Sequence, residues 1–163
     1  MIEFINFLSR KQAEQLQPEG CDVLVSISEP GSPLPQLKMG WGEVLSVQFW
    51  DIVDSLARDG ELYPVITTDQ AKQIADFIRH WHGRSEKVRF TAHCLAGVSR
   101  SAAVALSAYD YTTAAFSRRQ LAYNANLLVV RRVNEALGLP GYDIPSKVEV
   151  AAWADPWRVK DVW

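Results

Sequence analysis

The 163-residue sequence has the length and composition of one folded domain. Hydrophobic residues make up 48% of it and charged residues 22%, which is ordinary for a globular protein that buries a full core. The formal net charge of −2 excludes a general attraction to nucleic acid or to an anionic membrane surface. We expect a single domain over residues 1–163, in which residues 140–163 form a tryptophan-rich C-terminal extension.

The first residues and the cysteine content bear on where the protein works. The start, MIEFINFLSRK, has neither the cationic region of a signal peptide nor an apolar run long enough to span a membrane. The two cysteines, Cys21 and Cys94, do not suggest a disulfide. Cys21 begins an apolar run and is interpreted as a small core residue. These features predict a cytoplasmic protein.

Strand and helix patterns alternate through the first half of the chain. Ser9 and Gln12 have the spacing of a capping box, which predicts a short helix that ends near Pro18. Segment 29–42 is rich in proline and glycine and predicts a loop. Segments rich in Val, Ile, Leu and aromatic residues predict strands at residues 2–7, 21–27 and 44–50.

The same alternation continues in the second half. A helix is predicted to begin after Thr67 and to end at Gly83. A strand follows at residues 88–92, and the Ala-rich segment 101–112 predicts the most buried helix of the protein. A last helix, closed by a glycine, is predicted over residues 124–137.

Strands separated by helices predict a three-layer α/β fold. The expected core is a central, mostly parallel sheet of four or five strands, flanked by helices. Arg89 departs from the otherwise apolar strand 88–92, and we expect this early part of the strand to face water.

Residues 93–101, HCLAGVSRS, carry most of the functional information, and we call them the signature loop. They lie between a predicted strand and a predicted helix. Unpaired amides at a helix start bind a phosphate dianion and favour the thiolate form of a nearby cysteine, here Cys94. Arg100 has the planar fork of donors that holds two phosphate oxygens. Gly97 permits the backbone conformation needed where a chain curls around an anion.

HCLAGVSRS resembles the signature HCxxGxxR, followed by Ser or Thr, of the cysteine-dependent protein-tyrosine and dual-specificity phosphatases. Its AGVSRS core is similar to the smaller dual-specificity-like members, which implies a fold of that type and hydrolysis without a metal or organic cofactor. The resemblance implies that Cys94 is the nucleophile, that Ser101 helps the thiolate leave, and that His93 tunes the cysteine. The residues implied to bind the substrate phosphate are Leu95, Ala96, Gly97, Val98, Ser99 and Arg100.

Two other classes of protein have a cysteine and an arginine at this spacing. Low-molecular-weight phosphatases and arsenate reductases carry the loop near the chain start, whereas Cys94 lies past the middle of this chain. Rhodanese-like domains and the related cell-cycle phosphatases usually lack the AGxSRS sequence. Both classes remain minor alternatives.

The family mechanism also needs a carboxylic acid that protonates the leaving oxygen. Four residues compete for this role in the segment before the signature loop: Asp51, Asp54, Asp59 and Glu61. Asp51 directly follows a predicted strand and would leave the carboxyl end of the sheet beside the signature loop, so we prefer it, with Asp54 second.

The loop residues Leu95, Ala96, Val98 and Ser99 are uncharged, which argues against a polyphosphorylated inositol ring as substrate. We therefore expect a phosphorylated protein, with phosphotyrosine first and phosphoserine or phosphothreonine next, or a small phosphomonoester. Nucleic acid and membranes are not expected as partners, and no metal site is expected. The alternative is a phosphate-binding pseudoenzyme that uses the loop for recognition.

Overall fold

The computed structural model describes residues 1–53, 57–58 and 61–147, and in them the chain forms an α/β fold. Along the chain these elements are β1 (Ile2–Ser9), α1 (Arg10–Gln15), β2 (Asp22–Ser28), β3 (Glu43–Gln48), β4 (Ala57–Arg58), β5 (Glu61–Leu62), α2 (Thr68–His82), β6 (Val88–Cys94), α3 (Arg100–Thr112), a short 3-10 helix (Arg119–Asn124) and α4 (Leu127–Leu137).

Four strands form one sheet in the order β1-β6-β2-β3, and every neighbouring pair is parallel. The predicted parallel sheet flanked by helices is thereby confirmed, with four strands in it. The two-residue strands β4 and β5 form a separate antiparallel pair. Within the described ranges, none of the helices combines the length and the hydropathy that a membrane span requires.

The two central strands are covered on both faces. In β2 the six residues from Asp22 to Ile27 are all buried, and in β6 all but Arg89 are buried. Successive side chains of a strand point to opposite faces, so uninterrupted burial requires packing on each side of the sheet. Helix α3 packs against β1, β2 and β6, and α1 packs against β1 and β6.

Local sequence signals explain the helix ends. Ser9 and Thr67 each accept a hydrogen bond from the backbone N–H three residues on, and Gln12 and Gln70 return the bond. The capping box predicted at Ser9 is therefore present, and the helix start predicted at Thr67 is a second capping box. Gly138 ends α4 in the left-handed conformation that glycine adopts without strain. Helix α3 is buried along most of its length, as predicted from its composition.

Three sequence predictions are wrong in detail. Cys21 lies just before β2 and is half-buried, so it is not a core residue. The predicted strand at residues 44–50 ends earlier, and as an edge strand it buries only Val47. The last helix begins at Leu127, with Asn126 as its N-cap, because residues 119–124 form the separate 3-10 helix.

Arg89 does not simply face water. Its guanidinium bonds both carboxylate oxygens of Asp22, at 2.5 and 2.7 Å, and contacts Glu19 at 3.0 Å. Asp22 is only 2% exposed, and its hydrogen bonds raise the pKa of Arg89 above its usual value. The departure from an apolar strand is therefore compensated by an ion pair at the amino ends of β2 and β6.

We predict that Arg89→Met lowers the free energy of unfolding by about 2–4 kcal/mol, because the buried carboxylate of Asp22 loses its cation. Arg131→Met is the matched control. Arg131 lies 3.9 Å from Glu135 and both side chains are more than half exposed, so we expect a change of less than about 1 kcal/mol. Urea unfolding measures both values, and equal effects of the two substitutions would contradict the prediction.

Candidate functional site

The parallel register gathers polar residues at the carboxyl edge of the sheet. Cys94 ends β6 and is paired with Ser9 at the end of β1. Glu29 directly follows β2, and Asp51 follows β3 after two residues. Loops at the carboxyl ends of parallel strands are where α/β proteins build their sites, and the signature loop leaves the same edge.

Cys94 lies at the floor of the signature loop. Its residue exposure is 1%, and its Sγ receives the backbone N–H of Gly97 at 3.3 Å. The Oγ of Ser101 lies 3.2 Å from the same sulfur, where either atom can donate. Donors directed at a sulfur stabilise its anionic form. The sulfur therefore has two polar contacts, the Gly97 amide and the Ser101 hydroxyl, although it is buried.

The turn at Gly97 brings its amide to the sulfur. Gly97 has φ +71°, and a Cβ added there would lie 2.3 Å from the backbone N of Ser9 and 2.5 Å from the carbonyl carbon of Leu8. The loop therefore packs directly on the backbone at the end of β1. The left-handed conformation and the absence of space both require glycine, as the sequence predicted.

We predict that Gly97→Ala destabilises the protein more than Gly31→Ala does. Gly31 has a similar φ of +77° but no atom within 4 Å of an added Cβ, so it should show only the left-handed strain of about 1–2 kcal/mol. Gly97→Ala adds a backbone clash, which contributes about 1–3 kcal/mol more. Denaturant unfolding gives both values, and a smaller loss for Gly97→Ala would contradict the packing described above.

Arg100 begins α3 and is 2% exposed. Its Nη1 donates to the backbone oxygen of Phe49 at 2.8 Å, and its Nη2 donates to Glu29 at 3.3 Å. Its Nε is buried, 3.7 Å from Oδ2 of Asp51, and has no hydrogen-bond partner among the described residues. The guanidinium is thus fixed by the ends of β2 and β3 and retains an unused donor.

Asp51 lies beside the signature loop, as its place after a strand predicted. Its Oδ1 accepts hydrogen bonds from Ser99 Oγ at 2.7 Å and from Asn126 Nδ2 at 2.9 Å. The side chain is 32% exposed, so solvent reaches it. A cleft of about 470 Å³ opens next to it, lined in part by Val53, Ser99 and Leu127.

His93 is buried at the end of β6, where its Nε2 lies 2.8 Å from Ser26 Oγ. Burial lowers its pKa to about 4, so the ring is neutral at physiological pH. The neutral ring contacts Ser26, and a positive charge on His93 plays no part near neutral pH.

We predict a pH-dependent stability term at His93. The unfolded chain takes up a proton near pH 6.5, whereas the folded ring does so only near pH 4. Between these values the unfolded state holds more protons, so lowering the pH through this window costs about 3 kcal/mol, and no more is lost below it. The free energies of unfolding of wild type and His93→Gln should converge by this amount from pH 7 to pH 4. Parallel curves would contradict the assignment.

The remaining predicted site residues fall into two groups. Leu95, Ala96 and Val98 are exposed on the loop surface. Asp54 and Asp59 lie outside the described residues, and of Glu61 only the backbone is described. Two contacts were missed by the sequence analysis: Glu29, which the strand-end rule would have found after β2, and Asn126, which follows the predicted helix start by two residues.

Neither a metal site among the described residues nor a known relative assigns a function to these residues. Among the described residues, no group of three or more His, Cys, Asp or Glu side chains lies close enough to hold a metal ion. A scan against protein-family models gives no match for the sequence, and a search of curated proteins finds no similar sequence.

Proposed function

We propose that the protein hydrolyses phosphomonoesters through a cysteinyl-phosphate intermediate on Cys94, in a fold of the small dual-specificity phosphatase type. Its preferred substrate is a phosphorylated protein, with phosphotyrosine first. A nucleophilic thiolate has to stay reduced, so we place the enzyme in the cytoplasm.

One observation carries the proposal: the sulfur of Cys94 receives the Gly97 amide and lies within hydrogen-bond distance of Ser101, at the start of a buried helix. A buried structural cysteine does not need two polar partners, and packing alone would satisfy it. Polar partners aimed at sulfur are what a nucleophile requires, because the thiolate is the reactive form.

Arg100 supports the same conclusion. A guanidinium has five N–H donors, and the bonds to Phe49 and Glu29 use two of them. The buried Nε–H has no partner within the described part of the chain, and a non-bridging phosphate oxygen would supply the acceptor that it lacks. Glu29 and the Phe49 carbonyl orient the guanidinium, so little side-chain entropy is lost when phosphate binds.

The reaction has two displacements. The sulfur of Cys94 attacks phosphorus in line, a sulfur–phosphorus bond forms, the ester bond breaks, and protonated Asp51 gives its proton to the departing oxygen. Water then attacks phosphorus, Asp51 takes a proton from it, and the sulfur leaves with a hydrogen bond from Ser101. Arg100 and the loop amides stabilise charge on the phosphate oxygens in both steps.

The rim of the site fits an uncharged aryl group. Leu95 and Val98 are 59% and 44% exposed, and neither carries a charge that would select a polyphosphorylated ring. Exposed apolar side chains beside a phosphate site favour a substrate in which the phosphate is attached to an apolar body, as in phosphotyrosine.

A second candidate, a phosphate-binding pseudoenzyme, is favoured by the environment of Asp51. Ser99 and Asn126 donate to its carboxylate, and Arg100 Nε lies 3.7 Å from it, so its contacts in this structure are those of a bound carboxylate and not those of a proton donor. Turnover measurements separate the two candidates.

We predict that the purified protein hydrolyses aryl phosphates without added metal and is inhibited by vanadate, and that Cys94→Ser lowers kcat at least about 1,000-fold because the serine hydroxyl is a poor nucleophile here. Cys21→Ser is the matched control and should retain wild-type kcat. Steady-state kinetics with chelator present measures these values. Vanadate or phosphate binding without turnover would establish the pseudoenzyme. Equal losses of kcat in both cysteine variants would contradict the role of Cys94 as the nucleophile.

The ratio kcat/KM isolates the first displacement, because hydrolysis of the cysteinyl-phosphate is common to all substrates. We also predict that Asp51→Asn lowers kcat/KM about 100-fold or more for phenyl phosphate, whose phenoxide is a poor leaving group, and much less for para-nitrophenyl phosphate. The reason is that only the poor leaving group requires a proton in the transition state. Asp54→Asn, measured with the same two substrates, distinguishes the two candidate acids. If neither substitution changes the ratio of the two rates, the acid is neither of these residues.

A further inference from the structure

Asn126 connects three parts of the site. Its side-chain Oδ1 accepts the backbone N–H of Val129 at 3.1 Å and so caps α4, while its Nδ2 donates to Asp51 at 2.9 Å. A weaker contact at 3.4 Å joins the same Nδ2 to the backbone oxygen of Ile52. Its backbone N–H donates to the oxygen of Ser99, in the signature loop, at 3.3 Å.

We propose that Asn126 is a positioning residue for the general acid: its amide holds Asp51 at the rim of the signature loop and determines which carboxylate oxygen carries the proton. This inference depends on the proposed function and adds a residue to it.

The orientation of the Asn126 amide is fixed by its two contacts. Its oxygen faces a backbone donor and its nitrogen faces a carboxylate, so a flipped amide would lose both hydrogen bonds and set two oxygens against each other. Asn126 is 5% exposed, which leaves little water to replace those bonds. A buried, oriented donor therefore fixes Asp51 from the side of α4.

This contact separates the roles of the two oxygens of Asp51. Oδ1 accepts from both Ser99 and Asn126, and a proton placed there would compete with those donors. Oδ2 faces Arg100, whose Nε is 3.7 Å away, and it accepts no hydrogen bond from the described residues. The transferable proton therefore lies on Oδ2, on the side where Arg100 would hold the phosphate.

Asn126→Ser tests this role while it preserves the helix cap. Serine caps a helix as well as asparagine does, so α4 keeps its N-terminal hydrogen bond, but the donor to Asp51 is lost. Asn124→Ser is the matched control, because it makes the same change two residues earlier at an exposed asparagine. Asn126→Asp is the second variant: it also caps α4 but replaces the donor with a carboxylate.

The measured quantity is kcat/KM for phenyl phosphate and for para-nitrophenyl phosphate, which reports the first displacement alone. We expect Asn126→Ser and Asn126→Asp to lower kcat/KM for phenyl phosphate about 10-fold or more and to change kcat/KM for para-nitrophenyl phosphate less than about 3-fold. In an Asp51→Asn background the same substitutions should have little further effect, because Asn126 acts through Asp51. Asn124→Ser should match wild type.

Other outcomes would overturn the inference. Equal losses for both substrates, or a further loss in the Asp51→Asn background, would make Asn126 a structural residue only. Kinetics indistinguishable from Asn124→Ser would show that Asp51 needs no such support. If wild type turns over neither substrate, the proposed function itself fails. If it does turn over but Asp51→Asn leaves the rate ratio unchanged, Asp51 is not the acid, and the role of Asn126 fails with it.

Discussion

The close packing of Gly97 on the backbone of β1 sets the shape of the signature loop. A single added carbon at Gly97 would reach within 2.3 Å of Ser9, so the loop cannot move toward or away from the sheet without losing this fit. The same turn directs the Gly97 amide at the sulfur of Cys94. Because β1 and β6 are neighbours in parallel register, with Ser9 opposite Cys94, the loop closes against the strand beside its own.

The positive charge of Arg100 is balanced by residues that follow β2 and β3. Arg100 is a buried cation, and a buried charge is tolerated only when it is paired and hydrogen-bonded. Glu29 after β2 and Asp51 after β3 provide the negative charge, and the Phe49 carbonyl provides a further acceptor. The cation is therefore held in place by the protein's own residues.

Local signals were predictable and long-range contacts were not. The capping boxes at Ser9 and Thr67 involve residues three apart, so the sequence was sufficient to place those helix starts. The predicted start of the last helix at residue 124 is three residues earlier than Leu127, because asparagine caps a helix equally well at 124 and at 126 and only packing selects between them. Arg89 was misjudged because its partner Asp22 is 67 residues away, and a strand pattern does not indicate which neighbour will compensate a charge.

The sequence by itself determined the alternation of strands and helices, because the backbone preferences of neighbouring residues set these elements. It also determined the grouping of Cys94, Gly97, Arg100 and Ser101, because these residues are close together in the chain. It also indicated that a carboxylate after β3 would approach the loop. Only the tertiary structure decided that Glu29 holds the guanidinium and that Asn126 holds Asp51. These contacts join residues 71 and 75 positions apart. They exist because segments that are distant in sequence meet at the carboxyl edge of the parallel sheet.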